Sequence, residues 1–564
     1  MPGTRHRWWA LATLASGLAL IVLDGTIVGV ATPTIVDSLH LDLADAQWIS
    51  SLYNVVFAAL LLPLGRLGDV RGRRRLFGTG VVVFGLGSAL ASAAGSAGVL
   101  LLARAVQGIG GSMVLPSTLA TVSATFRGRD RAVAFGVWGA VMSGAAAIGP
   151  LIGGWITSAA SWRWVFLVNL PLCVLVLIGT LAFVPRTRGE PAGPGRADHL
   201  GVLLSAVGAG ALVFGLIEGR SLGWWRPRQG VDLGGWHWPA DAPLSPVTPA
   251  LLLGAGALTA FVCLERRRHR AGRNVLLDLS LFGVPTFRWG NLTAATVTAG
   301  EFSLLFVLPL FLVNASGLDP MEAGLVLAAM ALGAFVSGAL ARHLAARLGA
   351  AQVVVAGLVL ELVGVLFTGL TTRSPLPVGA LVVTLVVYGL GLGLASAQLT
   401  STVLGDIPVQ KSGSGSATQS TVRQLGSALG AALAGTLLGT RLAEILPGLL
   451  GALPGLPASS VRALVEGTTA TAGGLVTELR GQGTTGSFGT QGPQIVDALS
   501  AGFARATRDS LWLTAGLLVL GLLGSLQVLR VARQSGSTAA RSTGRAEQLP
   551  APASLPEGSA QDVG

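Results

Sequence analysis

Seven charged side chains fall inside long apolar runs of this 564-residue chain: Asp24, Arg104, Glu218, Arg288, Glu301, Glu361 and Arg423. A charge in hydrocarbon costs at least ~2.5–3.5 kcal/mol even on the lenient insertion scale, so each needs a partner or a task. An acid in that setting can carry a proton, because burial and a nearby cation push its proton affinity in opposite directions. At 1.5 Å per residue, Asp24 lies roughly 22 Å from one membrane face and Arg104 roughly 9 Å from the other. In a core ~30 Å thick these depths nearly coincide. Asp24 and Arg104 are therefore expected to meet, with Arg104 tuning the proton affinity of Asp24; a static ion pair between their helices is the competing role. Glu301, at mid-depth, is expected to be a second site for a proton or a cationic substrate, against a structural acid. Glu361 is equally deep and is a weaker candidate. Glu218 can reach interfacial water, and Arg288 can snorkel to a membrane face.

The elements that must hold these residues are transmembrane helices. Hydrophobic residues make up 51% of the chain, charged residues 11%, and mean hydropathy is +0.68. That composition excludes a string of soluble domains. Spans are expected near 9–30, 46–64, 77–95, 98–124, 132–157, 164–184, 199–219, 248–265, 287–313, 321–341, 351–371, 377–403, 417–441 and 509–531, fourteen in all. With the N-terminus inside, cytoplasmic segments hold 25 Arg and Lys and outer segments 10, half of these in one long loop. This asymmetry supports an even helix count with both termini cytoplasmic. It also explains the net charge of +12, whose short clusters make no face for nucleic acid. Cys173 and Cys263 both lie in apolar runs, with neither a disulfide framework nor metal spacing. The first apolar run lacks a small-residue cleavage site and reads as a retained span.

Outside the spans, residues 220–247 form a tryptophan- and proline-bearing outer loop. Residues 265–286 are an arginine-rich inner segment, in which Val275 to Phe282 could form a short interfacial helix. Residues 442–508 read as a Gly/Thr-rich outer loop with one amphipathic stretch near 458–480, a place where a periplasmic partner could bind. The tail 534–564 reads as disordered. The domains expected are 1–190, a six-helix bundle; 191–270, two inserted helices; and 271–533, a second six-helix bundle. The fold class is an all-α membrane protein.

Gly65-Arg-Leu-Gly-Asp-Val-Arg-Gly-Arg-Arg-Arg-Leu-Phe77 joins the second and third spans. Gly65, Gly68 and Gly72 permit a tight turn, and so much positive charge must lie in the cytoplasm. Gly338-Ala-Leu-Ala-Arg-His-Leu-Ala-Ala-Arg-Leu-Gly349 follows the tenth span in the same way but lacks the acid, a weak internal repeat. Asp69 is expected to dock on the start of the thirteenth helix, at Ser412-Gly-Ser-Gly-Ser416, in an outward-facing state. Arg71, Arg73 and Arg423 complete this expected gate. In the fifth span, Gly144, Gly149, Gly153 and Gly154 flank Pro150, which suits a helix that bends against a closely packed partner.

The Gly65–Phe77 loop resembles the signature of major facilitator superfamily transporters. Leu23-Asp-Gly-Thr-Ile-Val-Gly-Val-Ala-Thr-Pro33 and Arg423-Gln-Leu-Gly-Ser-Ala-Leu-Gly430 resemble motifs of its fourteen-helix drug:proton antiporters. Arg104-Ala-Val-Gln-Gly-Ile-Gly-Gly111 is similar to the superfamily's arginine motif. Gly144-Ala-Ala-Ala-Ile-Gly-Pro-Leu-Ile-Gly-Gly154 is similar to the motif associated with antiporters, and Ser161-Trp-Arg-Trp-Val-Phe-Leu-Val-Asn-Leu-Pro171 to the turn that follows it. Val70 stands where the loop motif usually has arginine, and Gly29 where the first helix commonly has asparagine. The resemblance implies two six-helix halves with two helices between them, and alternating access.

No Walker A sequence accompanies Lys411, the chain's one lysine, and neither a metal cluster nor a nucleophile elbow is present. An ion gradient is thus the expected energy source, with no cofactor, no metal and no enzymatic step. The expected function is proton-coupled antiport exporting amphipathic, often cationic, small molecules across the plasma (inner) membrane, of bacterial type. The alternatives are a dedicated exporter of one metabolite or lipid, and a non-transporting membrane sensor.

Overall fold

A computed structural model describes residues 4–546 apart from 127, 188–197, 234–235, 274 and 408–410. In chain order its helices are α1 (Thr4–Leu39), α2 (Leu43–Arg71), α3 (Arg73–Ser92), α4 (Ala97–Thr125), α5 (Gly128–Ala159), α6 (Arg163–Leu167) and α7 (Asn169–Phe183). There follow α8 (His199–Glu218), α9 (Val247–Arg270), α10 (Pro285–Leu310), α11 (Pro320–Leu348), α12 (Ala350–Thr371) and α13 (Val378–Leu404). The last are α14 (Ser412–Gly451), α15 (Ala458–Ala470), α16 (Gly474–Gln482) and α17 (Gly492–Ala546). Among the described residues, thirteen helical stretches are long and apolar enough to cross a membrane, with α6 and α7 counted as one. The 32-residue α5 lies where the fifth span is expected.

The internal repeat is visible in the backbone. Asp42 and Asp45 form a capping box at the start of α2, and Asp319 and Glu322 form one at the start of α11. Each box satisfies two otherwise orphaned N–H groups and fixes where its helix begins. The helices also end alike. Gly72 (φ 105°) separates α2 from α3, and Gly349 (φ 88°) separates α11 from α12. Only glycine holds that conformation without steric cost, which explains the glycine at each motif's end.

Helices α1–α5 and α7 pack among themselves, as do α10–α14 with α17, while α8 packs on α9, α2 and α14. Approach is close because small residues line the seams. A methyl built on Gly110 would sit 2.5 Å from the backbone nitrogen of Phe84, and one on Gly357 2.6 Å from that of Ala395. In lipid, such packing takes the place of the hydrophobic drive between helices.

Three expectations outside the spans need correction. Residues 442–508 are a helical annex, not a loop: α14 runs on to Gly451, α15 and α16 fold back, and α17 begins at Gly492. Leu464, Val476, Leu479, Ile495, Leu499 and Phe503 are buried there in one core, so apolar spacing outweighs the Gly/Thr composition. At the far end, α17 continues to Ala546, so the part of the tail up to that residue is helical. Within Val275–Phe282, only Leu279–Gly283 forms a short 3-10 turn, capped by Asp278. The tryptophan-bearing outer loop carries a hairpin that pairs Val231–Leu233 with Trp236–Trp238.

Candidate functional site

Asp24, midway along α1, is fully buried, and α4 and α7 supply its partners. Arg104 Nη1 donates to Asp24 Oδ2 at 2.6 Å. Gln107 Nε2 and Asn169 Nδ2 each donate to Asp24 Oδ1 at 2.9 Å. The same two amides also donate to Ser88 Oγ on α3, at 2.9 and 3.2 Å. The Arg104 guanidinium lies 4.4 Å from the Tyr53 ring centroid. Its remaining bonds go to Gln107 Oε1 (2.8 Å) and, from Nε, to the Ile49 carbonyl on α2 (3.0 Å). An ion pair this deep is tolerable only when its polar atoms are bonded, and here both groups are.

The expected meeting of Asp24 and Arg104 is thus present. Sequence reasoning missed Gln107, Asn169 and Ser88. The signal was available: Gln107 lies one turn from Arg104 in the arginine motif, and Asn169 lies within the Ser161–Pro171 motif. Trp162 of that motif donates to Ser38 Oγ at 3.0 Å, tying the same turn to the far end of α1.

The carbonyl held by Arg104 lies between two residues that contact the other half. Gln47 Nε2 donates to Ala432 O at 2.7 Å, and Ser51 Oγ to Ala428 O at 3.1 Å, both on α14. The antiporter-like segment of α5 makes a second bridge. Gly149 and Gly153 lie against Thr26 and Ile27, one turn or less beyond Asp24. Gly154 faces α11, where an added methyl would sit 2.6 Å from Pro320 O, and Gly324 lies close to the Pro150 carbonyl. Gly144 faces Phe335. Gly29 faces Leu305 of α10, so the missing asparagine also lies on the seam between halves. These contacts join the two halves along α1, α2, α5, α10, α11 and α14.

In the other half, Glu301 on α10 is half-buried, and Arg423 is the basic group acting on it. The two helices are locked by Thr298 Oγ1 donating to the Arg423 carbonyl at 3.0 Å. Arg423 therefore stands with Glu301. Glu361 is fully buried against α13, close to Gly391; neither carboxyl oxygen has a donor, and the nearby Tyr388 hydroxyl is also unpartnered. Glu218 accepts from Trp48 Nε1 (2.9 Å) and Ser221 Oγ (2.7 Å). Arg288 lies 5.5 Å from the Trp289 ring centroid.

At the arginine-rich end, Gly65 packs on Pro116 and Gly68 on Leu76. Arg73 Nη1 donates to Ala120 O (2.9 Å) and Arg74 Nη2 to Leu181 O (2.7 Å), covering carbonyls near the ends of α4 and α7. Arg71 is exposed. The side chains of Asp69 and Ser412, on which the expected dock depends, lie outside the described residues. At the opposite end, a cavity of about 260 Å³ opens between α2, α8, α14 and α15, lined among others by Asp42, Gln47, Arg220 and Glu466.

Two bundles of long apolar helices, each with an acid buried inside it, are an architecture that transporters use. The Major Facilitator Superfamily profile matches residues 14–431 and 290–531, and the chain belongs to that family. Multidrug resistance protein Stp of Mycobacterium tuberculosis is 33% identical over 426 residues, 75% of this chain and 74% of that protein. The probable actinorhodin transporter of Streptomyces coelicolor is 32% identical over 436 residues, 75% and 71% of the two chains. The multidrug efflux pump LfrA of Mycolicibacterium smegmatis is 32% identical over 421 residues, 74% and 78%. The crystal structure of an inward-facing bacterial homologue of the lysosomal transporter Spinster shares the fold, with a TM-score of 0.60 over 94% of this chain and 98% of that one, at 16% identity. The protein is a multi-pass transporter of the bacterial plasma membrane with drug-efflux relatives.

Proposed function

We propose that this chain is a proton-coupled antiporter that exports amphipathic, often cationic, small molecules by alternating access. It would use fourteen spans with both termini cytoplasmic, as halves 1–190 and 271–533 flanking the inserted helices of 191–270. The observation that carries this reading is the buried Asp24–Arg104–Gln107–Asn169 network. It links an exchangeable acid to both seams between the halves. Protonation of Asp24 would remove the charge that holds Arg104 and loosen the Ile49 carbonyl between Gln47 and Ser51. The α1–α5 contact at Gly149 and Gly153 would relax with it. Each protonation state would thus favour a different arrangement of the halves. Glu301 and Arg423 would present the second half's charge to a cationic substrate or a proton, with Glu361 behind them. Asp69 and Arg71 would form the cytoplasmic gate with the start of α14, and the 260 Å³ cavity would lie on the release path.

A second reading has specific support. Relatives include the probable actinorhodin transporter and a tetracenomycin C resistance and export protein, each named for one compound, so one metabolite could be the dedicated cargo. A panel of cationic dyes and neutral polycyclic aromatics in proteoliposomes with an imposed pH difference separates the readings. Uphill flux of many dyes supports multidrug antiport. Flux of one compound class alone supports the dedicated exporter, and pH-driven flux of none would overturn both.

A further inference from the structure

Asp198 and Glu265, which join the two inserted helices at their arginine-rich end, form a buried carboxyl pair that the transport site does not use. Asp198 caps α8, its Oδ1 accepting from Gly201 N at 2.9 Å and pairing with Arg268 Nη1 at 3.0 Å. Glu265, near the end of α9, accepts from Leu277 N at 2.9 Å through Oε2. The other oxygen of each, Asp198 Oδ2 and Glu265 Oε1, is buried with no ordinary donor. These two oxygens converge: a methyl on Gly201 would sit 2.5 Å from the first and 3.0 Å from the second. They are within hydrogen-bond reach of each other. Residue exposure is 4% for Asp198 and 0% for Glu265, so both carboxyls are withdrawn from bulk solvent.

Two carboxylates in such contact repel one another when both are ionised, and a proton between the two facing oxygens removes that repulsion. Among the described residues, Arg268 from α9 and Arg66 from α2 are the charged groups that act on the pair. Asp278, His269 and Lys411 form a separate ion cluster in the next segment. With two guanidinium groups already present, a proton fits between the oxygens better than a metal cation.

We propose that Asp198 and Glu265 form a second proton-binding site, at the cytoplasmic end of the inserted helices. With the proton in place, Glu265 bridges Asp198 and the Leu277 amide, pinning the segment that leads into α10. The apolar contacts of Leu62, Phe261 and Leu276 surround this pin and tie it to α2. Losing the proton sets two like charges together and releases the segment ahead of the second half. Only this consequence rests on the transporter reading; occupancy of the site is measured without transport.

The test is an infrared pH titration of the purified full chain in lipid nanodiscs, comparing wild type with Glu265→Gln. Glutamine imitates the protonated acid, so the variant should fold. The wild-type minus variant spectrum should show a protonated-carboxyl band that is lost as pH rises, unaltered by sodium or by Asp24→Asn. Asp198→Asn removes the neighbouring like charge and should shift the titration of that band downward in pH while leaving its carboxyl on Glu265. Absence of the band at every pH in folded protein, its replacement by a sodium-dependent carboxylate signal, or an unshifted band in Asp198→Asn would overturn the proposal.

Discussion

Asp24 and Glu361 are both fully buried acids in opposite halves, and their surroundings treat them in opposite ways. Asp24 receives three hydrogen bonds, one of them from a guanidinium. Glu361 receives none. Asp24 is thus tied by hydrogen bonds to three side chains on two other helices, and Glu361 to none. Glu301 is intermediate, half-buried with Arg423 as counter-charge. Burial alone therefore does not make a coupling site. On the proposed reading, a coupling acid needs strong partners whose release moves something else, and Asp24 is the acid with such partners.

The largest effect is expected on breaking the Asp24 network. Arg104→Leu strands a buried carboxylate and should cost about 3–5 kcal/mol, abolishing pH-driven flux; thermal unfolding and dye transport report both. Wild-type flux in a folded Arg104→Leu protein would erase the contrast between the halves. Gln107→Ala and Asn169→Ala each remove one donor and should cost about 1–3 kcal/mol while leaving flux slowed but coupled. Next comes the seam. In Gly154→Ala the new methyl would meet the Pro320 carbonyl, so inter-half distances measured between spin labels should lengthen at the end away from the arginines.

Glu361→Gln should leave flux at the wild-type level and stability within about 1 kcal/mol, since no hydrogen bond is lost. Flux lost in this variant while Glu301→Gln stayed active would move the second site to Glu361. The smallest effect is expected at the Lys411–Asp278 contact of 2.9 Å, where the lysine is 43% exposed. Burial pushes the Asp278 carboxyl up, but hydrogen bonds from Ser280 and Lys411 together hold it below the usual carboxylate range. A lowered pKa stabilises the fold above the usual range, and that contribution is lost as pH falls through the lowered value. Lys411→Ala should therefore cost under ~1 kcal/mol at neutral pH and nothing in strong acid, as read by pH-dependent unfolding.

The helical architecture and the Asp24–Arg104 meeting were legible in the sequence because hydropathy and helix rise fix depth. Partners that lie side by side across helices were not, since depth says nothing about rotation. Gln107 and Asn169 went unnoticed for that reason. In the 442–508 annex the amphipathic stretch near 458–480, which holds Leu464 and Val476, was legible; the helical ends supplied by α14 and α17 were not, because glycines, prolines and threonines there dilute the apolar pattern. The Asp198–Glu265 pair was invisible, because a loop-end acid and a helix-end acid 67 residues apart carry no shared pattern.

The most direct test of the central claim is proton release when substrate binds. A transported cationic dye is added to purified protein in weakly buffered detergent at a pH where wild-type flux is high. Wild type is expected to release protons in proportion to dye bound, and Asp24→Asn to bind dye with none released. Equal release from the two proteins would contradict Asp24 as the carrier of the coupled proton.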